Sequence, residues 1–450
     1  MHLRHLEISH IKLLEAFEVD FLRPDGSPRP WTVFVGENGK CKTTILQAIA
    51  LAASGPEKSN QVANNLPGLL IDKRDIPGSP GVTASFGGPR SPALAGTYWP
   101  GLSDENGRPT VRSEISMNGS VFEGSSRYVQ NSPEDSMVPS VRNPLSQIRA
   151  QNLPGWLCVA YGVNRNIPIP LSVETRSDIA GDRVRSLFDF RYQLVGTDFV
   201  ARFEPSVAQH YSRLLQQALV DFAILPGIEA LELRGRGGIT HPSSLVESHR
   251  FDQRVGDTEL RLPAIALSHG YQSTIAWVAD FVGQAMVDAG ERAVEVELET
   301  MEGIVLIDEI DLHLHPRWQR GLIRTLKSAF PKVQFIATTH SPLVLAGLEK
   351  DEVYILQSDA HGSVTAAAAN EEARLMTASG ILQTFFGVDR VDPDDAGAKL
   401  REYGFLASTA ARTDQEQAKL DSLLAELESL GVKPDWEPVP RKQPEEEALR

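Results

Sequence analysis

Gly36-Glu-Asn-Gly-Lys-Cys-Lys-Thr-Thr44 has the spacing of a phosphate-binding loop, G-x-x-x-x-G-K-[ST], with Gly36, Lys42 and Thr43 at the required offsets. The residue types suit the chemistry. Backbone N–H groups along Gly36, Asn38, Gly39, Lys40, Cys41 and Thr44 can wrap a β-phosphate, and the Lys42 ammonium can reach the β- and γ-oxygens. The Thr43 hydroxyl is the type of group that ligates Mg²⁺ in such loops. One position departs. Cys41 stands where the pattern has its last glycine, so a side chain there must crowd the phosphate or require a strained backbone.

Three downstream segments bring further chemistry. Ile304-Val-Leu-Ile-Asp-Glu-Ile-Asp311 is an apolar run ending in two carboxylates, as a fully buried parallel strand would read. At its carboxyl end Asp308 would hold Mg²⁺, and Glu309 would orient or deprotonate an attacking water. Leu267-Ser-His-Gly-Tyr-Gln-Ser273 precedes a helix, where Ser268 and Gly270 can offer N–H groups to a γ-phosphate. Thr338-Thr-His-Ser-Pro342 follows a strand and places His340 to hydrogen-bond the same phosphate. Each segment alone has a plainer reading as a turn or a structural histidine. In this order, the four form a specific constellation.

The elements that must position them are legible in outline. Trp31–Val35 predicts a strand entering the loop, and Thr43–Ala53 a helix leaving it. Leu3–Val19 reads as two strands joined by a polar turn. From about 54 to 154 the composition shifts to Gly, Pro, Ser and Asn, with strand-like pieces at Val82–Phe86 and Arg112–Met117. Trp156–Tyr161 reads as a buried strand and Glu204–Leu225 as an amphipathic helix, followed by short strands near Ile228, Ser248 and Glu259. A helix near Tyr271, strands at Gly303–Ile307, Val333–Ala337 and Val353–Leu356, and a helix over Arg317–Ala329 complete the second core segment. The expected organisation is 1–53 for the first half of the core, 54–264 for an inserted lobe with core strands, 265–360 for the second half, and 361–450 for a helical region with a solvated tail. In the last region Leu420, Leu423, Leu424, Leu427 and Leu430 share one helical face.

Composition narrows the class. The 450 residues carry 59 acidic against 44 basic side chains, a formal net charge of −15, which argues against a wholly basic nucleic-acid-coating protein. Cys41 and Cys158 are too few for a disulfide framework or a four-cysteine zinc site. No stretch approaches the ~20 apolar residues that cross a bilayer, and the opening residues lack a signal-peptide core, so a cytoplasmic protein with no membrane partner is expected. His313 and His315 read as loop and contact residues rather than metal ligands. Arg142, Arg149, Arg165, Arg234, Arg236, Arg250 and Arg254 read equally as a nucleic-acid surface or as scattered solvated charges.

These motifs resemble the ATP-binding-cassette heads of the RecF, SMC and OLD (overcoming lysogenization defect) ATPases. LSHGYQS looks like the family signature, IVLIDEID with LHLHP like its Walker B and D-loop, and TTHSP like its switch histidine. The resemblance covers the first ~50 residues and Ile265–Leu356. It implies an α/β class: an ABC-type P-loop ATPase head with an inserted irregular, β-rich lobe and a C-terminal helical region. It also implies ATP and Mg²⁺ as cofactors. Two heads would close head to tail around two ATP molecules, Ser268 and Gly270 of one protomer capping the γ-phosphate held by Lys42 of the other. The coiled coil of SMC proteins and the Toprim nuclease domain of full OLD proteins have no counterpart in this sequence. Most similar are the PtuA-like ATPases of Septu and Septu-like retron defence systems, which implies a separate HNH nuclease as partner. VAYGVNR (159–165) and RVRSLF (183–188) are also similar to segments of such ATPases. The Cys41 departure leaves open whether ATP is turned over or held as a switch. The rival reading is a RecF-like repair ATPase acting directly on DNA; contact with DNA or RNA stays open.

Overall fold

The computed structural model describes residues 1–63, 70, 74, 78–88, 110–118, 121–129, 143–146, 155–165, 183–234, 249–388, 394–434 and 437–441. Arg142, Arg149, Arg236 and most of the solvated tail lie outside the described residues. The chain divides into two units, Met1–Leu375 and Met376–Arg450.

In the first unit, continuous apolar runs become the centre of a six-stranded sheet. Its strands are β3 (Trp31–Val35), β7 (Cys158–Tyr161), β11 (Gly303–Ile307), β12 (Val333–Thr338), β13 (Val353–Ser358) and β14 (Val364–Ala368), in the order β14-β13-β3-β12-β11-β7. All neighbours run parallel except β13 and β14. Every residue of β3, β7, β11 and β12 is buried, as expected of parallel strands covered on both faces. Parallel neighbours share one carboxyl edge, which is where ligands bind in open α/β sheets.

Helix α1 (Lys42–Val62) leaves the loop after β3 and runs past the expected end at Ala53. Gly55 (φ 70°, ψ 166°) breaks its helical geometry, with Pro56 following, so the sequence signal for an end marks a kink instead.

The second sheet is antiparallel. It comprises β1 (His2–Ile11), β2 (Leu14–Asp20), β4 (Gly81–Gly87), β5 (Thr110–Asn118) and β6 (Val121–Tyr128), in the order β2-β1-β4-β5-β6. The strand pieces expected within the inserted lobe are therefore β4 and β5, and β4 pairs directly with β1. One apolar core joins this sheet, through Leu6, Ile8, Val82 and Ile115, to Ile45, Leu46 and Ile49 of α1 and to Leu306 and Ile336 of the parallel sheet. α1, with Lys42 at its start, is thus gripped from both sides.

A smaller sheet holds β8 (Ile228–Glu232), β9 (Arg250–Val255) and β10 (Thr258–Pro263). The amphipathic helix α2 covers Pro205–Gln216 and passes into a π-helical turn at Gln217–Asp221, shorter than the expected run to Leu225. Helix α3 (His269–Ala289) is anchored to β7 through the buried Asp280, whose carboxylate accepts from Tyr161 Oη (3.1 Å) and the Val195 N–H (2.9 Å). Burial and the neighbouring Asp280 push the Tyr161 phenol well above its ordinary pKa. Helix α4 (Pro316–Ala329) precedes β12.

The second unit contains α5 (Ala378–Phe386), α6 (Asp394–Ser408) and α7 (Asp414–Ser429). Thr413 and Glu416 close a capping box at the start of α7. Leu420, Leu423 and Leu427 pack on Tyr403, Leu406 and Ala407, so that face of the leucine stripe is intramolecular core. Leu430 lies beyond the helix end and is half exposed.

Candidate functional site: a phosphate-binding cleft

The loop after β3 and the carboxyl ends of β11 and β12 enclose a cleft of about 290 Å³. Asn38, Gly39, Lys40, Cys41, Lys42, Thr43, Thr44, Asp308, Glu309 and His340 line it, together with Lys12. Residues about three hundred positions apart meet here because β3, β12 and β11 are neighbours in the sheet. Gly36 closes the loop behind them, packed so closely on Leu356 that a Cβ would sit 3.1 Å from its carbonyl oxygen.

Two contacts define the cleft floor. Thr43 Oγ1 donates to Asp308 Oδ2 at 2.7 Å, and Thr338 Oγ1 donates to Asp308 Oδ1 at 2.7 Å. The Thr338 oxygen also accepts from the Glu309 N–H at 2.8 Å. The Asp308 carboxylate and the Thr43 hydroxyl are hard oxygen donors in direct contact, a set that suits Mg²⁺. Lys42 Nζ turns back onto its own loop and donates to the carbonyls of Gly36 (2.8 Å) and Glu37 (2.9 Å). Burial lowers the Lys42 pKa, while Asp308 and Glu309 oppose that shift. Lys40 points elsewhere: its ammonium donates to Ser358 Oγ at 2.7 Å, so only its backbone is suited to a phosphate.

Cys41 resolves the departure noted in the loop. It adopts the left-handed conformation (φ 60°, ψ 19°) that the pattern's glycine would take freely. An L-residue held there costs roughly 1–2 kcal/mol, partly offset because glycine loses about 0.5–1 kcal/mol more entropy on folding. Cys41→Gly relieves this strain but removes a buried side chain from the apolar core, so stability is expected to change by less than about 1 kcal/mol, read as the urea midpoint at unchanged m-value. A clear loss of stability would contradict this account of the loop.

Ser268 and Gly270 are not in this cleft. Ser268 occupies the N-cap position of α3 without a side-chain capping bond and lines a separate hollow of about 310 Å³ with Tyr271, His313, His315, Arg317 and Trp318. Gly270 is required by close approach, since a Cβ there would meet the His313 carbonyl oxygen at 2.5 Å. The signature segment therefore rests on the loop that follows Glu309. Among the described residues, no group of three His, Cys, Asp or Glu side chains could hold a metal ion. His315 instead accepts from the Arg317 N–H (3.3 Å) at the start of α4.

Sequence reasoning passed over Lys12 and Thr338. Lys12 sits in the β1–β2 turn with φ 49° and donates to Thr44 Oγ1 at 2.9 Å, which brings a second ammonium to the cleft. A lone turn lysine carries no local signal of this. Thr338 stood inside the quoted TTHSP segment, but only the strand register shows its hydroxyl between Asp308 and Glu309. Of the arginines considered for a nucleic-acid surface, Arg165 is buried beside the cleft, and Arg234 and Arg254 pair with Glu232 (2.8 Å) and Glu229 (2.5 Å).

Residues 181–346 match the family described as "AAA domain, putative AbiEii toxin, Type IV TA system", and residues 5–81 match one described as "AAA domain". The chain is 26% identical over 431 residues to the Septu protein PtuA of Bacillus mycoides, covering 95% of this chain and 51% of that protein. It is 30% identical over 206 residues to the protein named "Retron Ec83 probable ATPase" of Escherichia coli, covering 46% of this chain and 34% of that one. The chain thus spans about half the length of the first of these relatives and about a third of the second. Among solved structures, the SMC head bound to the C-terminal winged-helix domain of ScpA superposes with a TM-score of 0.50 at 17% identity, covering 84% of this chain and all of that one. No helix among the described residues is long and apolar enough to cross a membrane. The chain has the fold of an SMC head, and by sequence it is similar to Septu PtuA and to retron ATPases.

Proposed function

We propose that this chain binds ATP with Mg²⁺, closes head to tail with a second copy around the nucleotides, hydrolyses ATP, and thereby controls a separate effector, an HNH-type nuclease, in bacterial anti-phage defence. The observation that carries the reading is the direct Thr43–Asp308 contact across the sheet, inside a cleft that also gathers Lys42, Glu309 and His340. In the loaded site the loop N–H groups and Lys42 bind the phosphates, with Lys12 adding charge at the Thr44 edge. Thr43 and Asp308 would hold Mg²⁺, which when bound would supply positive charge against the phosphates. Glu309 orients the attacking water and takes its proton, and His340 hydrogen-bonds the γ-phosphate. Ser268 and Gly270, which lie outside this cleft, serve the nucleotide of the other protomer. The partner effector rests on the similarity to Septu PtuA alone.

Of the arginines weighed as a DNA surface, Arg234 and Arg254 are ion-paired and Arg165 is buried. Dimerisation is tested by light scattering of the Glu309→Gln chain. The mass should double on adding Mg-ATP and return on adding EDTA. An unchanged mass at saturating nucleotide would exclude the head-to-tail pair.

A further inference from the structure

Glu309 occupies an unfavourable backbone position. Its φ of 48° is left-handed, which for a residue with a side chain stores of order 1–3 kcal/mol and persists only where neighbours hold it. The neighbours that do so are visible. The Glu309 N–H donates to Thr338 Oγ1 (2.8 Å), the Ile310 N–H donates to the Thr338 carbonyl (3.0 Å), and the Glu309 carbonyl accepts from Arg165 Nη2 (2.7 Å). Arg165 follows β7, the strand next to β11, and is only 2% exposed. Its Nε and Nη1 have no hydrogen-bond partner among the described residues. Burial draws its pKa down to about 10, while Asp308, Asp311 and Glu309 pull the other way. A buried guanidinium held by one carbonyl is a poor stabiliser, since each unmade bond costs about 1–3 kcal/mol. Its place is better explained by what it holds.

We infer that Arg165 is a positioning residue for ATP hydrolysis: by clamping the Glu309 carbonyl it fixes the left-handed turn that aims the Glu309 carboxylate into the cleft, without touching nucleotide itself. This rests on the reading of the cleft as an ATPase site. A catalytic group displaced by about 1 Å can lose roughly a hundredfold in rate, so the effect should fall on turnover and not on binding.

The test compares single-turnover Mg-ATP hydrolysis and equilibrium ATP binding in the wild-type chain, Arg165→Ala, Arg165→Lys, Glu309→Gln and the Arg165→Ala/Glu309→Gln double variant. Arg165→Ala should lose about a hundredfold in rate with affinity held within about threefold. Arg165→Lys, with one donor able to reach the carbonyl, should recover part of that loss. The double variant should be no slower than Glu309→Gln alone, because both changes remove the same contribution. A simply structural arginine would instead add its loss to that of Glu309. Equal rates in wild type and Arg165→Ala, or additive losses, would overturn the inference and leave the ATPase reading intact. Absence of hydrolysis by the wild-type chain would overturn both. If Arg165→Ala binds no nucleotide, Arg165→Met keeps the buried volume without the donors; the same loss of binding there would make Arg165 a folding residue and overturn the inference.

Discussion

Glu309→Gln is expected to bind ATP as the wild-type chain does and to lose turnover by about 10²- to 10⁴-fold, the usual contribution of a positioned general base. The amide keeps the shape of the carboxylate but cannot accept the proton of the attacking water. The backbone contacts to Thr338 and Arg165 do not involve the replaced atoms and should persist. Lys42, Thr43 and Asp308 are untouched, so affinity should stay within about threefold. Equilibrium binding and single-turnover phosphate release separate the two effects. Turnover equal to wild type would remove Glu309 from the reaction and shift attention to His340. A combined loss of binding and turnover would mean that Glu309 holds the nucleotide in its ground state.

Lys42→Ala is expected to do the opposite, weakening ATP binding itself. Among the described residues the Lys42 ammonium donates to the Gly36 and Glu37 carbonyls, and burial lowers its pKa. A polyphosphate offers it full charge pairing in place of two neutral acceptors. Removing one partner of such a buried pair typically costs about 2–5 kcal/mol, or roughly 30- to 4,000-fold in affinity. Stability of the unliganded fold should change much less, by about 1 kcal/mol, since only hydrogen bonds within the loop are lost. Titration calorimetry with ATP, alongside urea unfolding, reads both quantities. Unchanged affinity would show that the loop does not bind phosphate through Lys42.

Legibility of the chain in its sequence follows the range of the interactions involved. β3 and β11 read to the residue because buried parallel strands are continuous apolar runs, and the polar residues that end them, from Gly36 and from Asp308, are where the cleft forms. The starts of α1 and α4 were similarly visible, within a residue of Thr43 and Arg317. The overrun of α1 was not, because Gly55 and Pro56 signal an end locally while packing against both sheets carries the helix on. Strand pieces in the Gly- and Pro-rich region were readable as strands. The pairing of β4 with β1 was not, since it joins residues about eighty positions apart and has no local signature. The cleft shows the same division. Motif spacing names Lys42, Thr43, Asp308, Glu309 and His340, and the structure brings these together. Lys12, Thr338 and the Arg165 contact depend on turn geometry and strand register alone. Ser268 lines a different hollow and Gly270 packs against the His313 carbonyl, so neither joins the cleft.

The most direct measurement is phosphate release by the purified chain from Mg-ATP, with EDTA and the Glu309→Gln chain as controls. The account predicts release that stops when Mg²⁺ is chelated and is nearly abolished by the single amide, while both chains retain ATP. Release that survives EDTA, or that is equal in the two chains, would contradict it, as would a wild-type chain that neither binds nor hydrolyses ATP.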